Sequence, residues 1–172
     1  MRKVTFRVAS SLDNYIARQD GSFDWILQSE ESRASLAEFW KTIDTVLWGR
    51  KTYDLVQGRM PTYQGIKNYV FSRTLKESAD KEVELVKEEA AEFVHTLKSQ
   101  TGKDIFVMGG GELAKSLFEA DLIDEVGMNI QPVLLGSGIV LFHEMKRQIN
   151  LELIECQTFR DGCVFISYRV KG

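Results

Sequence analysis

Asp104-Ile105-Phe106-Val107-Met108-Gly109-Gly110-Gly111-Glu112-Leu113-Ala114 passes from a short apolar, β-rich run through three glycines straight into a helical pattern. A helix start of this kind offers unpaired N–H groups and a partial positive charge, and glycines let a bulky anion approach the backbone. The stretch predicts a phosphate-handling junction; the less favoured alternative is a tight packing turn with no ligand. Gly109, Gly111 and Ala114 also satisfy the G-x-G-x-x-[GA] fingerprint of a Rossmann unit. That fingerprint belongs after the first strand of several βα units, whereas roughly two thirds of this chain precedes the glycines. A nucleotide site in a different architecture fits better.

The run Asp44-Thr45-Val46-Leu47-Trp48 repeats the arrangement, turning through Gly49-Arg50-Lys51-Thr52-Tyr53 into another helix. Two such junctions at the carboxyl ends of neighbouring strands suit a dinucleotide with several anionic groups. The remaining pattern predicts strands over 3–10, 67–72 and, more weakly, 83–86, and helices from Ser29 and over 88–99. Ser29 is the expected cap of its helix, Glu30 and Glu31 fill the first turn, and Leu36, Phe39, Trp40 and Ile43 form the expected core face. Residues 11–22 read as a long loop, followed by the exposed-looking aromatics Phe23 and Trp25. Strands at 149–159 and 163–170 read as a closing antiparallel hairpin, which with Asp161-Gly162 as a two-residue loop sets Cys163 opposite Arg160 and Cys156 opposite Ser167. The fold class is therefore α/β, with a mixed, mostly parallel sheet, in one domain over 1–172.

The 172 residues, 44% hydrophobic and 27% charged, suit a folded domain with a single core. A net charge of −3 gives no general reason to expect nucleic acid or an anionic membrane as partner. No apolar run reaches the roughly 18–20 residues a bilayer span needs, and Arg7 interrupts the N-terminal apolar run that a signal peptide would require. Two unpaired cysteines point to a reducing, cytoplasmic setting. His95 and His143 stand without ligand spacing, so no metal is expected.

Trp48-Gly49-Arg50-Lys51-Thr52-Tyr53, Ser72-Arg73-Thr74 and Val107-Met108-Gly109-Gly110-Gly111 occur in the order and spacing seen in dihydrofolate reductases. Ser11-Leu12-Asp13-Asn14-Tyr15-Ile16-Ala17, Asp24-Trp25 and Pro132-Val133-Leu134-Leu135-Gly136-Ser137-Gly138 resemble, more specifically, the reductase domain at the C-terminal end of bifunctional riboflavin-biosynthesis proteins and its stand-alone bacterial relatives. The resemblance covers essentially the whole chain. It implies a dihydrofolate reductase-like three-layer fold with helices on both sheet faces, an NADPH cofactor, a cis Gly109–Gly110 peptide and a homodimer, toward which the run Ile139-Val140-Leu141-Phe142 and the long hairpin would contribute. Arg50 and Arg73, with the Ser72 hydroxyl, would grip the 2′-phosphate that distinguishes NADPH from NADH. Lys51, Thr52, Gly49, Gly109, Gly110, Gly111, Glu112 and Leu113 would contact phosphates, while Ala9 and Ile16 would line the nicotinamide.

On the substrate side, Asp24, Glu30 and Glu31 are the acids placed to anchor or protonate a ring, with Trp25, Arg33 and Asn129 as further contacts. The glutamates equally suit a purely structural role at a helix start. Departures from the dihydrofolate reductase pattern are Ala114 where tyrosine is usual, no proline around Trp25, and Asn129 and Gln131 where threonine is usual. The deaminase signatures H-x-E and P-C-x-x-C are absent from the chain. The expected activity is hydride transfer from NADPH to a pterin-like or pyrimidine-like heterocycle; the alternative is an NADP(H)-binding protein that is catalytically silent.

Overall fold

The computed structural model describes residues 1–56, 65–78 and 80–172. Its core is an eight-stranded sheet whose inner strands read as unbroken apolar runs because both of their faces are covered. In β3 (Ile43–Gly49), Leu47 packs with Val107 and Phe6 on one face, while Val46 and Trp48 pack with Val70 and Phe106 on the other. The two faces thus carry separate cores. Helices α3 (Ala90–Ser99) and α4 (Gly111–Glu119) cover the first face with Val94, Leu97, Leu113 and Leu117. Helices α1 (Glu30–Thr42) and α2 (Arg50–Val56) cover the second, with Phe39, Trp40 and Tyr53.

The remaining strands are β1 (Val4–Ser11), β2 (Tyr15–Ala17), β4 (Lys67–Phe71), β5 (Val83–Val86), β6 (Asp104–Met108), β7 (Glu125–Gln131), β8 (Ile139–Val140), β9 (Leu151–Thr158) and β10 (Val164–Val170). The sheet order is β5-β4-β3-β6-β1-β7-β10-β9; the first six are mutually parallel, and β10 and β9 close the sheet antiparallel. The mixed, mostly parallel dihydrofolate reductase-like sheet read from the sequence is the architecture found. β6 returns between β3 and β1, and the helices after β3 and β6 leave to opposite faces. That is a topological switch point, where a crevice opens beyond the strands' carboxyl ends.

Several local expectations need correction. Within α1 only Ser32 is buried: Leu36 is exposed, and Ile43 packs inward but already belongs to β3, so half-buried Phe39 and Trp40 carry the face. Ser29 does cap the helix, accepting from Ser32 N–H at 3.1 Å. Trp25 is buried rather than exposed, unlike Phe23. The closing hairpin has a three-residue loop, Arg160-Asp161-Gly162, because Phe159 pairs with Cys163 and Gly162 takes the left-handed conformation (φ +88°) that such a loop requires. Cys156 therefore faces Ile166, and both cysteines are free. Among the described residues no peptide is cis: the Gly109–Gly110 bond is trans, and the chain turns there on two positive φ angles, +65° and +77°.

Two of the motifs that carried the family resemblance hold each other. Leu12 N–H donates to Val133 O at 2.9 Å, and the Asp13 carboxylate accepts from Leu135 N–H at 3.0 Å and Gly136 N–H at 2.8 Å. The Ser11 hydroxyl and these backbone donors hold the Asp13 carboxyl below the ordinary carboxylate range. At Gly138 a Cβ would stand 2.2 Å from Ala17 O, so only glycine lets β8 lie against β2.

Candidate functional site

The two glycine junctions meet. Gly49 ends β3, Gly110 follows β6, and a Cβ on Gly49 would lie 3.3 Å from the Gly110 Cα. Thr52, in the first turn of α2, fills the space beside Gly109, where a Cβ would stand 2.6 Å from its Cγ2 and 2.8 Å from its Oγ1. α4 starts at Gly111 with Gly110 as its cap, so no side chain caps its first N–H groups. These two bare backbones form one wall of a cavity of about 630 Å³. That volume accommodates a large organic ligand.

Of the residues expected at the cofactor, Ala9, Ile16, Gly49, Arg50, Lys51, Thr52, Gly109, Gly110, Gly111, Glu112 and Leu113 all line this cavity. Ser72 does not, but its hydroxyl accepts from Arg50 Nη1 at 3.3 Å. Arg73 stands apart, exposed and paired with Glu89. Arg50 donates through Nε to both oxygens of Asp54 at 2.8 Å, and Lys51 reaches Glu112 at 3.0 Å, an ion pair joining the first turns of α2 and α4. The cations at this end are thus each held by a carboxylate.

The residues expected at a substrate lie elsewhere. None of Asp24, Glu30, Glu31, Trp25, Arg33 and Asn129 lines the cavity. Asp24 is exposed and paired with Arg18, whose guanidinium holds it below the usual carboxylate range. Glu31 accepts from Arg160 N–H at 3.1 Å and Ser29 N–H donates to Asp161 at 3.2 Å, so the start of α1 is tied to the β9–β10 loop. Glu30 and Arg33 face solvent. Trp25 and Asn129, by contrast, contribute buried polar atoms, Nε1 and Oδ1, without a partner among the described residues. Gln131 lies two residues beyond Asn129 on the same face of β7 and accepts from Leu27 N–H at 2.8 Å, drawing the loop that carries Trp25 onto that strand.

The residue that the sequence reading missed is Arg7. It lines the cavity from β1, with its guanidinium 4.2 Å from the Phe165 ring centroid and 4.8 Å from that of Phe39. Its guanidinium's one hydrogen bond among the described residues is to Ser35 Oγ at 3.4 Å; Glu155 attracts it electrostatically, but no carboxylate among the described residues stands within ion-pair distance. Burial pushes its pKa down to about 10. A half-buried cation without a carboxylate is costly unless something anionic or strongly accepting meets it. Its signal in the sequence was the single charge within Val4–Ser11, a run with no other charged residue. His143 also lines the cavity, its ring filling the space where a Cβ on Gly111 would stand. Among the described residues no group of three or more His, Cys, Asp or Glu is placed to hold a metal ion, and no helix is long and apolar enough to cross a membrane.

A sequence model of the RibD C-terminal domain family matches residues 2–165. Two proteins of Bacillus subtilis (strain 168), both named as uncharacterized, are similar over most of their lengths. YwjB is 39% identical over 155 residues, 88% of this chain and 89% of its own; YyaP is 33% identical over 184 residues, 99% and 96%. Among solved structures, a putative riboflavin biosynthesis protein from Shewanella sp. PV-4 superposes with a TM-score of 0.87 at 26% identity, covering both chains in full. Dihydrofolate reductase from Enterococcus faecalis, solved with NADP(H), shares the fold at 17% identity and a TM-score of 0.75, over 99% of this chain and 97% of its own.

Proposed function

Since the chain belongs to the RibD C-terminal domain family, a reductase-type family, we propose that it is an NADPH-dependent reductase of a pterin-like or pyrimidine-like heterocycle. The observation that carries this reading is the cavity at the switch point, walled by two abutting glycine junctions. The donor set fits a dinucleotide: uncapped N–H groups at the start of α4 and the Thr52 and Lys51 side chains suit phosphates, and Ala9 and Ile16 present a smooth apolar wall to a flat ring. NADPH, when bound, supplies a hydride. The chain's part is to bind, orient and exclude water. Phe23, Ile26 and Val8 keep the interior apolar, and Arg7 offers N–H donors to an oxygen or anionic group of the acceptor.

The test is loss of nicotinamide absorbance when dihydrofolate or an aminopyrimidine is added to protein and NADPH. Turnover that falls in Arg7→Met supports the reading; no turnover with any heterocycle of either class removes it. One observation favours the second reading, a silent NADP(H)-binding protein: all three acids proposed as proton donors lie outside the cavity. Binding without turnover would select it.

We also propose a homodimer. Every residue of the edge strand β9 is exposed, including Leu151, Leu153 and Ile154, and a second copy would cover that apolar edge. Leu153→Glu should convert a dimer to a monomer by light scattering; a wild-type monomer would refute this.

A further inference from the structure

We propose that Asp54 limits how strongly the site prefers a dinucleotide carrying a 2′-phosphate over one carrying a 2′-hydroxyl. The inference rests on the dinucleotide reading above and adds a specificity-determining residue to it. Of the two arginines expected at the 2′-phosphate, only Arg50 lines the cavity, since Arg73 stands outside it with Glu89. Arg50 is not free. Its Nε donates to both Asp54 oxygens at 2.8 Å, one helical turn along α2, and its Nη1 donates to Ser72 Oγ at 3.3 Å.

A guanidinium carries five N–H donors. Asp54 occupies the one on Nε and Ser72 one on Nη1, which leaves the Nη1–Nη2 fork with donors for an incoming phosphate. A phosphate seated there shares its cation with a carboxylate, so like-charge repulsion opposes it. A ribose 2′-hydroxyl meets no such penalty, and Asp54 is itself a suitable acceptor for it. The pair is partly exposed, with side chains at 36% and 47%, so the repulsion is moderate and screened by salt. Ser72 is buried and its hydroxyl also accepts from Leu75 N–H at 3.0 Å, which fixes the guanidinium from the β4 side.

The experiment is calorimetric titration of the full chain with NADPH and with NADH, for wild type, Asp54→Asn and Glu38→Gln. Asparagine keeps an acceptor for Arg50 Nε and removes the charge. Glu38→Gln makes the same change in net charge at a side chain on α1 that does not line the cavity. Asp54→Asn is expected to tighten NADPH about three- to tenfold while changing NADH less than about twofold, and the gain should shrink in high salt. Glu38→Gln should leave the NADPH/NADH ratio as in wild type. An unchanged ratio in Asp54→Asn, weaker NADPH binding, or an equal gain in Glu38→Gln would overturn the role of Asp54 while leaving the dinucleotide reading intact. If the wild type binds neither dinucleotide, both fall.

Discussion

Replacing Gly109 by alanine tests whether the glycine junction is built for its conformation and for its neighbour at once. Gly109 has φ +65°, and a non-glycine residue there costs about 1–2 kcal/mol. The new Cβ would lie 2.6 Å from Thr52 Cγ2, inside any tolerable contact, so Thr52 or the helix that carries it must shift, at about 1–3 kcal/mol. The lower entropy of the unfolded alanine chain adds to the penalty no further and instead, where the conformation is compatible, favours folding by about 0.4–1 kcal/mol; in this strained conformation it offsets only part of the cost. The net expectation is a loss of about 2–4 kcal/mol, read from urea unfolding midpoints at constant slope. The two causes separate in a double-mutant cycle with Thr52→Ala, which relieves the contact but not the backbone. Gly109→Ala in the Thr52→Ala background should cost about 1–2 kcal/mol less than in wild type. A loss below about 0.5 kcal/mol, or no coupling to Thr52, would refute the reasoning.

Arg7→Met should leave stability within about 1 kcal/mol of wild type, since losing two ring contacts is offset by removing a desolvated charge with no carboxylate partner; a loss above about 3 kcal/mol in urea would mean that Arg7 is structural. Folded Leu153→Glu monomer at pH 8, with β9 uncovered, should expose one reactive thiol to a disulfide reagent, Cys156, and two in denaturant, because Cys163 is fully buried and burial raises its pKa to about 11. A folded pKa above the unfolded value means that this thiol's contribution to stability is full below about pH 9 and is lost as pH rises toward 11; a Cys163→Ala variant should lose that alkaline dependence in thermal melts. Lys98→Met should destabilise by about 1–3 kcal/mol, since the buried ammonium donates to Asp124 at 2.5 Å and to Leu122 O at 3.2 Å and leaves Asp124 without its cation; an unchanged melting temperature would contradict that.

The sheet was legible because its strands are covered on both faces, which writes runs such as Val46-Leu47-Trp48 and Ile105-Phe106-Val107 that no surface element would carry. The glycine-walled cavity was legible for a related reason: two strand ends that abut backbone to backbone demand glycine at fixed places, and sequence records it. The placement of the acids around Trp25 was not: spacing along a chain does not say that Glu31 turns to the β9–β10 loop or that Asp24 turns to Arg18. Arg7 was overlooked because a cation in a strand is ordinarily an edge or surface feature. Its place over Phe39 and Phe165 depends on α1 and β10 arriving from distant parts of the chain. The trans, double-positive-φ turn at Gly109–Gly110 shows the same limit, since glycine permits many backbones and names none of them.

The central claim is that the cavity at the two glycine junctions holds a dinucleotide. Trp48 lines it, so quenching of tryptophan fluorescence on titration with NADPH reads the site directly. The account predicts saturable binding, one NADPH per chain, abolished or strongly weakened in Gly109→Ala. No saturable response to NADPH or NADH in folded wild-type protein, confirmed by calorimetry, would contradict it.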